Sequence, residues 1–449
     1  MLVRSLLGLA ICLSMGQQHQ QQLVAGWVPS LPASSSSSRS FGASRTSPLF
    51  SAVEEGADIL ADAVATTTTT SITLSPASLA ARDQLSPEYR AALDGALTKL
   101  QASQLPSGSS SKLIPLLAHF LIEYLVANQE ALRQGGHDPA VTRPDVAAHR
   151  FMTGISYGLR YGLPGPNQYR FGVTHTALRG QEEQGNTIDF YAFGCDFFRP
   201  CMNLSRTKIL GRDRLDTIFQ KQLAAGENVI LFANHQSEAD PQVVSVCLEQ
   251  VGYGKEAEEI VYVAGHKVTT DPLAIPFSMG RNLICIHSKK HIDADPATKP
   301  LKQKQNLLAM NSLLDQLKAG GCLIWVAPSG GRDRRNVETG QVPLAPFDAK
   351  TIDIFRLFGN KSRVPTHYYT LAMVSYDLCP PPDVVEAGVG EERNVRYEPV
   401  GIAVGAELES VGGLEARHEF TDRAFAQCQR DYDALLEAIH GTPAVENEN

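Results

Sequence analysis

Apolar residues along this chain fall into two repeating patterns, one short and continuous, the other spaced at helical intervals. Four short runs, Asn228 to Phe232, Ile260 to Ala264, Leu283 to Ile286 and Leu323 to Ala327, are bounded by glycine and polar residues. Runs of this kind predict buried strands of a largely parallel sheet, because parallel strands are covered on both faces. Gln303 to Leu317 alternates with helical period and stops at Gly320-Gly321, a C-terminal cap before the fourth strand. Phe420 to Ile439 places Phe420, Ala424, Phe425, Cys428, Tyr432, Leu435 and Ile439 on one side, as expected of a final helix closing the sheet. Upstream, Leu85 to Gln104 and Leu113 to Gln134 predict helices separated by the turn cluster Pro106-Ser107-Gly108-Ser109. The predicted class is α/β, with a mixed, largely parallel sheet flanked by helices and preceded by a small helical domain. The expected divisions are a leader and low-complexity linker over 1–72, a helical domain over 73–165 and the α/β domain over 166–445.

Each of the four strands ends in polar chemistry. The first runs into Asn234-His235-Gln236-Ser237-Glu238-Ala239-Asp240-Pro241, the second into Gly265-His266-Lys267, the third into His287-Ser288-Lys289-Lys290-His291. The fourth runs into Pro328-Ser329-Gly330-Gly331-Arg332-Asp333-Arg334-Arg335. Open α/β sheets bind ligands outside the carboxyl ends of their strands, so these segments share one rim. An imidazole takes a proton from a hydroxyl well, and a carboxylate beside it fixes its tautomer, which makes His235 and Asp240 a candidate base and orienting acid. The alternative is that Asp240 only caps the helix beginning at Pro241, with His235 a loop residue. Arg332 and Arg334 follow a glycine pair that lets backbone approach a ligand, and guanidinium forks match phosphate oxygens. Lys290 and His291 add compact donors on a neighbouring strand end. A solvated basic loop is the alternative there. A base beside a phosphate pocket points to a phosphorylated alcohol whose free hydroxyl is the nucleophile.

Other motif matches carry less. Gly154-Ile155-Ser156-Tyr157-Gly158 fits the G-x-S-x-G nucleophile elbow, which needs a strand before it, yet Pro144 to Thr153 is polar and helix-like. His287 and His291 have a spacing seen in metal sites but no third ligand at a recognisable spacing. Neither a P-loop nor a G-x-G-x-x-G fingerprint occurs, which argues against nucleotide binding.

Composition agrees with an enzyme. The chain has 449 residues, 43% of them hydrophobic, and no apolar run approaches the ~20 residues a spanning helix needs. Its eight cysteines are scattered, and several fall in predicted strands, as expected of reduced buried thiols. The first fifty residues stand apart. Arg4 precedes a short apolar run, Leu6 to Met15, then a Gln-rich stretch, Ser34 to Ser38, Arg39 and Arg45, with no acidic residue before Glu54. A signal-like segment followed by a basic, serine-rich, acid-free one has the character of a bipartite leader of algae with complex plastids, with a plain secreted protein as the alternative. Residues 1–53 hold three arginines and no carboxylate, so the remainder carries −11 against the chain's −8. That balance argues against broad binding to nucleic acid or to anionic membranes.

His-x4-Asp followed by Pro-Ser-Gly-Gly-Arg-Asp-Arg resembles the soluble plastid glycerol-3-phosphate acyltransferase family. The likeness extends through Ser278-Met279-Gly280-Arg281-Asn282-Leu283-Ile284-Cys285, Ser288-Lys289-Lys290-His291, Ala345-Pro346-Phe347-Asp348 and Pro380-Pro381-Pro382. It runs from about Asp189 to the C-terminal helix. His-x4-Asp alone is shared by glycerolipid acyltransferases generally, whereas lysophosphatidate acyltransferases tend to carry a Glu-Gly-Thr-Arg type of motif in place of the Arg332 turn. The resemblance implies that His235 deprotonates the primary hydroxyl of glycerol 3-phosphate, that Asp240 orients it, and that Lys290, His291, Arg332 and Arg334 bind phosphate. It implies acyl-acyl-carrier protein or acyl-CoA as donor, no metal or other cofactor, and a stromal location. His266-Lys267 departs from the acidic-basic pair that relatives tend to have. The rival readings are a carrier- or phospholipid-binding protein without turnover, and a lysophosphatidate acyltransferase.

Overall fold

The computed structural model describes residues 72–103, 110–183, 186–288, 292–381, 392–410 and 416–441. All of these fall within one compact unit. The chain opens with helices α1 (Pro76–Asp83), α2 (Pro87–Ala102), α3 (Ser110–Arg133), the single turn α4 (Pro139–Thr142) and α5 (Pro144–Gly162). Proline begins α1, α2, α4 and α5, where its missing N–H costs nothing and its fixed φ suits the first turn. One such start moves a predicted bound, since Ser86-Pro87 opens α2 two residues after Leu85; α3 begins at Ser110, three residues before Leu113, without a proline at its start. The Gly154 to Gly158 segment lies inside α5, so it is no strand-to-helix elbow.

Beyond α5 come strands β1 (Thr174–His175), β2 (Gln181–Glu183) and β3 (Asn186–Ile188), then α6 (Phe190–Phe198), β4 (Lys208–Leu210) and α7 (Arg212–Thr217). The remainder alternates: β5 (Asn228–Ala233), α8 (Asp240–Gln250), α9 (Gly254–Glu259), β6 (Val261–Gly265), α10 (Ile275–Met279), β7 (Asn282–Ile286), α11 (Lys299–Ala319), β8 (Leu323–Val326), α12 (Ala349–Ser362), β9 (Thr366–Val374), β10 (Gly401–Val404) and α13 (Arg417–His440). Eight strands form one sheet in the order β1-β7-β6-β8-β5-β9-β10-β4. The block β7-β6-β8-β5-β9 is parallel, while β1 and β10 join it antiparallel. This is the mixed, largely parallel sheet expected.

Side-chain alternation divides the core between the two faces of this sheet. Val229, Leu231, Trp325, Tyr369 and Leu371 face one way, into a core shared with the N-terminal helices, α6 and α8. Ile230, Phe232, Ile324, Val326, Tyr368 and Ala372 face the other way, against α11, α12 and α13. Gly320, at φ +80 and ψ 169, ends α11 in a positive-φ extended conformation that glycine adopts without strain and that turns the chain toward β8. The seven cysteines among the described residues are free, and six of them are buried. No described helix is long and apolar enough to cross a membrane.

Candidate active site

All six residues of β5 are buried, so the strand delivers the loop that follows it as a rigid element. That loop, Asn234 to Ala239, is tied down by its own side chains. Asn234 Oδ1 accepts from the Met373 N–H at 2.8 Å and its Nδ2 donates to the Met373 carbonyl at 3.1 Å, which extends the pairing with β9 beyond the last strand residue. Gln236 Oε1 accepts from the N–H groups of Ser375 and Tyr376 at 2.8 and 3.1 Å, and its Nε2 donates to the Tyr432 hydroxyl at 3.2 Å. Between these two buried amides His235 stays partly exposed, with 29% of its side chain accessible.

Asp240 lies fully buried at the start of α8, but it does not cap that helix. Its Oδ2 accepts from His235 Nδ1 at 2.7 Å and from the Gln236 N–H at 2.8 Å. Its Oδ1 accepts from the Ser237 N–H and hydroxyl, both at 3.0 Å, and from the Ser375 hydroxyl at 2.6 Å. Burial works to raise the Asp240 pKa, but the donors from His235, Ser375 and Gln236 outweigh it and hold the carboxyl below its ordinary value. An ionised Asp240 needs a proton on Nδ1 opposite it, which leaves the lone pair of His235 on Nε2. Trp325 meets the imidazole edge-on at 5.8 Å between ring centroids and limits its rotation. The arrangement sets the tautomer and orientation of the imidazole from behind.

The Arg332 turn is bolted to this loop through Asp333. The Asp333 N–H donates to the His235 carbonyl at 2.6 Å, and its carboxylate accepts from Asn234 Nδ2 at 3.1 Å and from the Ala345 N–H at 2.8 Å. Burial, reinforced by the nearby charge of Asp240, pushes the Asp333 pKa up to about 6. Gly330, at φ +68, takes the left-handed conformation that lets the turn leave β8 sharply. With Asp333 directed inward, Arg332 and Arg334 flank it, both half-buried.

Arg332 Nη1 lies 3.5 Å from Glu238 Oε1, on the same loop as His235. Glu238 is shared with Arg393, whose Nε reaches it at 3.0 Å and whose Nη2 reaches Asp271 at 2.8 Å. Burial raises the pKa of Glu238, but Arg393, Arg332 and Lys267 more than offset it and keep the carboxyl low. Arg393 is itself buried, and its Nη1 has no hydrogen-bond partner among the described residues. His287, at the end of β7, is clamped by α11: Asn306 bonds both its N–H and its carbonyl, and Gln305 Oε1 lies 2.8 Å from its Nε2. Its ring lies 4.3 Å from that of His266.

His235, Asp240 and Arg332 are thus brought together, with Arg334 on the same turn. Lys290 and His291 lie outside the described residues. Sequence reasoning gave no role to Asn234, Gln236, Glu238 or Asp333, although all four lie within the motifs it singled out. Ser375 and Arg393 come from distant segments, and only the end of β9, which was not predicted, could have drawn attention to Ser375.

A family model described as Acyltransferase matches residues 214–368. The chain is 33% identical over 365 residues to the chloroplastic glycerol-3-phosphate acyltransferase of Arabidopsis thaliana, covering 79% of this chain and 74% of that protein. It is 38% identical to the corresponding proteins of Spinacia oleracea and Pisum sativum, over 274 and 266 residues. Those alignments cover 60% and 58% of this chain, and 56% and 58% of the two relatives.

Proposed function

The chain belongs to the chloroplast glycerol-3-phosphate acyltransferase family, and on that premise we propose that it moves an acyl group from acyl-acyl-carrier protein or acyl-CoA to the sn-1 hydroxyl of glycerol 3-phosphate. His235 Nε2 takes the hydroxyl proton while Nδ1–H stays on Asp240, which is not itself protonated. The oxygen attacks the thioester carbonyl, and the tetrahedral intermediate collapses with cleavage of the carbon–sulfur bond. The proton on Nε2 passes to the departing thiolate, which leaves lysophosphatidic acid and free thiol. Arg332 and Arg334, with Lys290 and His291, hold the phosphate so that the hydroxyl faces His235. The thioester carries the activation, so no metal or nucleotide enters the scheme.

The observation that carries this reading is the 2.7 Å contact between His235 Nδ1 and an Asp240 carboxylate with four further donors. The test offers purified residues 60–449 radiolabelled glycerol 3-phosphate with acyl-carrier thioester, acyl-CoA or neither. Labelled lysophosphatidic acid should form with either donor and require the phosphate on the acceptor; equal transfer to glycerol would contradict the reading.

The chloroplastic names of the relatives support a plastid as the place of work. We place the enzyme in the stroma, delivered by the leader over 1–72. A reporter carrying residues 1–60 should enter the plastid of an alga with a complex plastid, and deletion of 1–15 should leave it cytosolic. Secretion of the reporter would refute the leader.

A further inference from the structure

An acidic carrier protein approaching this chain meets a net charge of −8, so its docking needs a basic surface set apart from the rest. Two neighbouring helices supply one. α11 and α12 together hold seven lysines and arginines against two aspartates; Arg356 is buried beside Asp353, so the surface charge comes from the six lysines. α13, packed on the same face of the sheet, holds three arginines against five carboxylates, so the basic charge is local to the pair.

The same two helices carry most of the exposed apolar surface. Leu301, Leu307 and Leu308 of α11 and Ile354 and Leu357 of α12 are 41 to 58% exposed. Only two other large apolar side chains among the described residues, Leu79 and Val337, are exposed to that degree. Lys350, Ile354, Leu357 and Lys361 recur at helical spacing along one exposed stripe of α12. On α11, Lys304 is exposed within a turn of Leu301, Leu307 and Leu308, whereas Lys302 is half-buried on the side of Ala309. Lys299 and Lys318 are also exposed, although each shares its charge with a nearby aspartate. Leucines rimmed by lysines are what a partner helix with an apolar seam and acidic flanks would bury.

Both helices begin at the rim that holds His235. α11 is fixed there by Asn306 on His287, and α12 by the Asp348 N–H on the Pro328 carbonyl, one turn beyond the Ala345–Asp333 bond. A carrier seated on their first turns would stand beside the catalytic loop, with its thioester arm free to reach inward.

We propose that the exposed face of α11 and α12, which carries Lys304, Lys350 and Lys361 with Leu301 and Leu308, is the docking surface for the acidic acyl-carrier protein. This rests on the reading of the site as an acyltransferase that takes a carrier-bound donor. None of these five residues belongs to the catalytic or phosphate-binding set.

The test compares two donors on one enzyme. Lys304→Glu/Lys350→Glu/Lys361→Glu should raise KM for acyl-carrier protein at least tenfold and leave KM and kcat for acyl-CoA within twofold of the parent. Leu301→Ser/Leu308→Ser, which keeps the charge, should raise the same KM several-fold. Raising sodium chloride should weaken carrier binding to the parent and have little effect on the triple variant, because exposed charge pairs are screened. An unchanged KM for acyl-carrier protein, or equal losses with both donors, would overturn the proposal. So would a concentration-dependent dimer of the parent that the triple variant abolishes, since the face would then join two copies of this chain. Direct binding of thioester-free carrier to parent and triple variant separates the two readings. Binding that the variant loses supports the docking surface even if the parent transfers no acyl group, a failure that would fall on the proposed reaction alone.

Discussion

The N–H of Asp333 donates to the carbonyl of His235 at 2.6 Å, so the turn that carries Arg332 and Arg334 and the loop that carries the imidazole are one mechanical piece. Truncation to Asp333→Ala removes the acceptor for Asn234 Nδ2 and the Ala345 N–H, at a cost of about 1–3 kcal/mol. It should raise KM for glycerol 3-phosphate and lower kcat together, because both the cations and the base lose their support. Equilibrium denaturation and steady-state kinetics on one preparation check this.

Asp333 also gives folding stability a pH dependence of predictable sign. The folded carboxyl keeps its proton up to about 6, whereas the unfolded one releases it near its ordinary value of 3.8. Between those values the native state binds more protons, so raising the pH favours unfolding, by up to roughly 3 kcal/mol across the window. Asp333→Asn should flatten this part of the stability curve, as read by urea midpoints from pH 4 to pH 6. An unaltered slope would place the titration elsewhere.

Arg393 holds two carboxylates at once, the partly exposed Glu238 and the buried Asp271. Arg393→Ala takes from the buried Asp271 its ion-pair partner and leaves Glu238 only the longer contact with Arg332, and it should cost about 3–5 kcal/mol. Arg393→Lys should recover only part of this, since a single ammonium cannot serve both carboxylates in the fork geometry. Because Glu238 also contacts Arg332, KM for glycerol 3-phosphate should rise in both variants while KM for the acyl donor stays put.

Arg332→Ala and Arg334→Ala should each weaken glycerol 3-phosphate binding on the order of tenfold to a hundredfold, from the loss of charge-assisted hydrogen bonds worth roughly 1.5–3 kcal/mol. Lysine should not restore either fully. Lys290→Ala and His291→Ala should act in the same direction, more mildly. Loss of affinity for the acyl donor instead would make the turn a donor-docking element.

The central strands were legible because β5 to β8 are short apolar runs with polar or glycine boundaries, a pattern that follows from burial on both faces. β9 escaped because Thr366, His367, Tyr368 and Tyr369 break the apolar run at its start, although Tyr368 and Tyr369 are buried. His235 and Asp240 could be paired in sequence because they lie five positions apart across one tight loop. The cap alternative could not be dismissed there, since the direction of the Asp240 carboxylate is set by Ser237 and Ser375. Ser375 and Arg393 reach the site only through the folding of segments more than 130 residues away, and no local spacing records that.

His235→Ala tests the central claim most directly, with acyl transfer measured alongside glycerol 3-phosphate affinity and thermal stability. Removing a general base should slow transfer by ~10²–10⁴-fold or more, with affinity and melting temperature close to the parent's. A variant that keeps transfer within tenfold of the parent would show that His235 Nε2 does not take the hydroxyl proton.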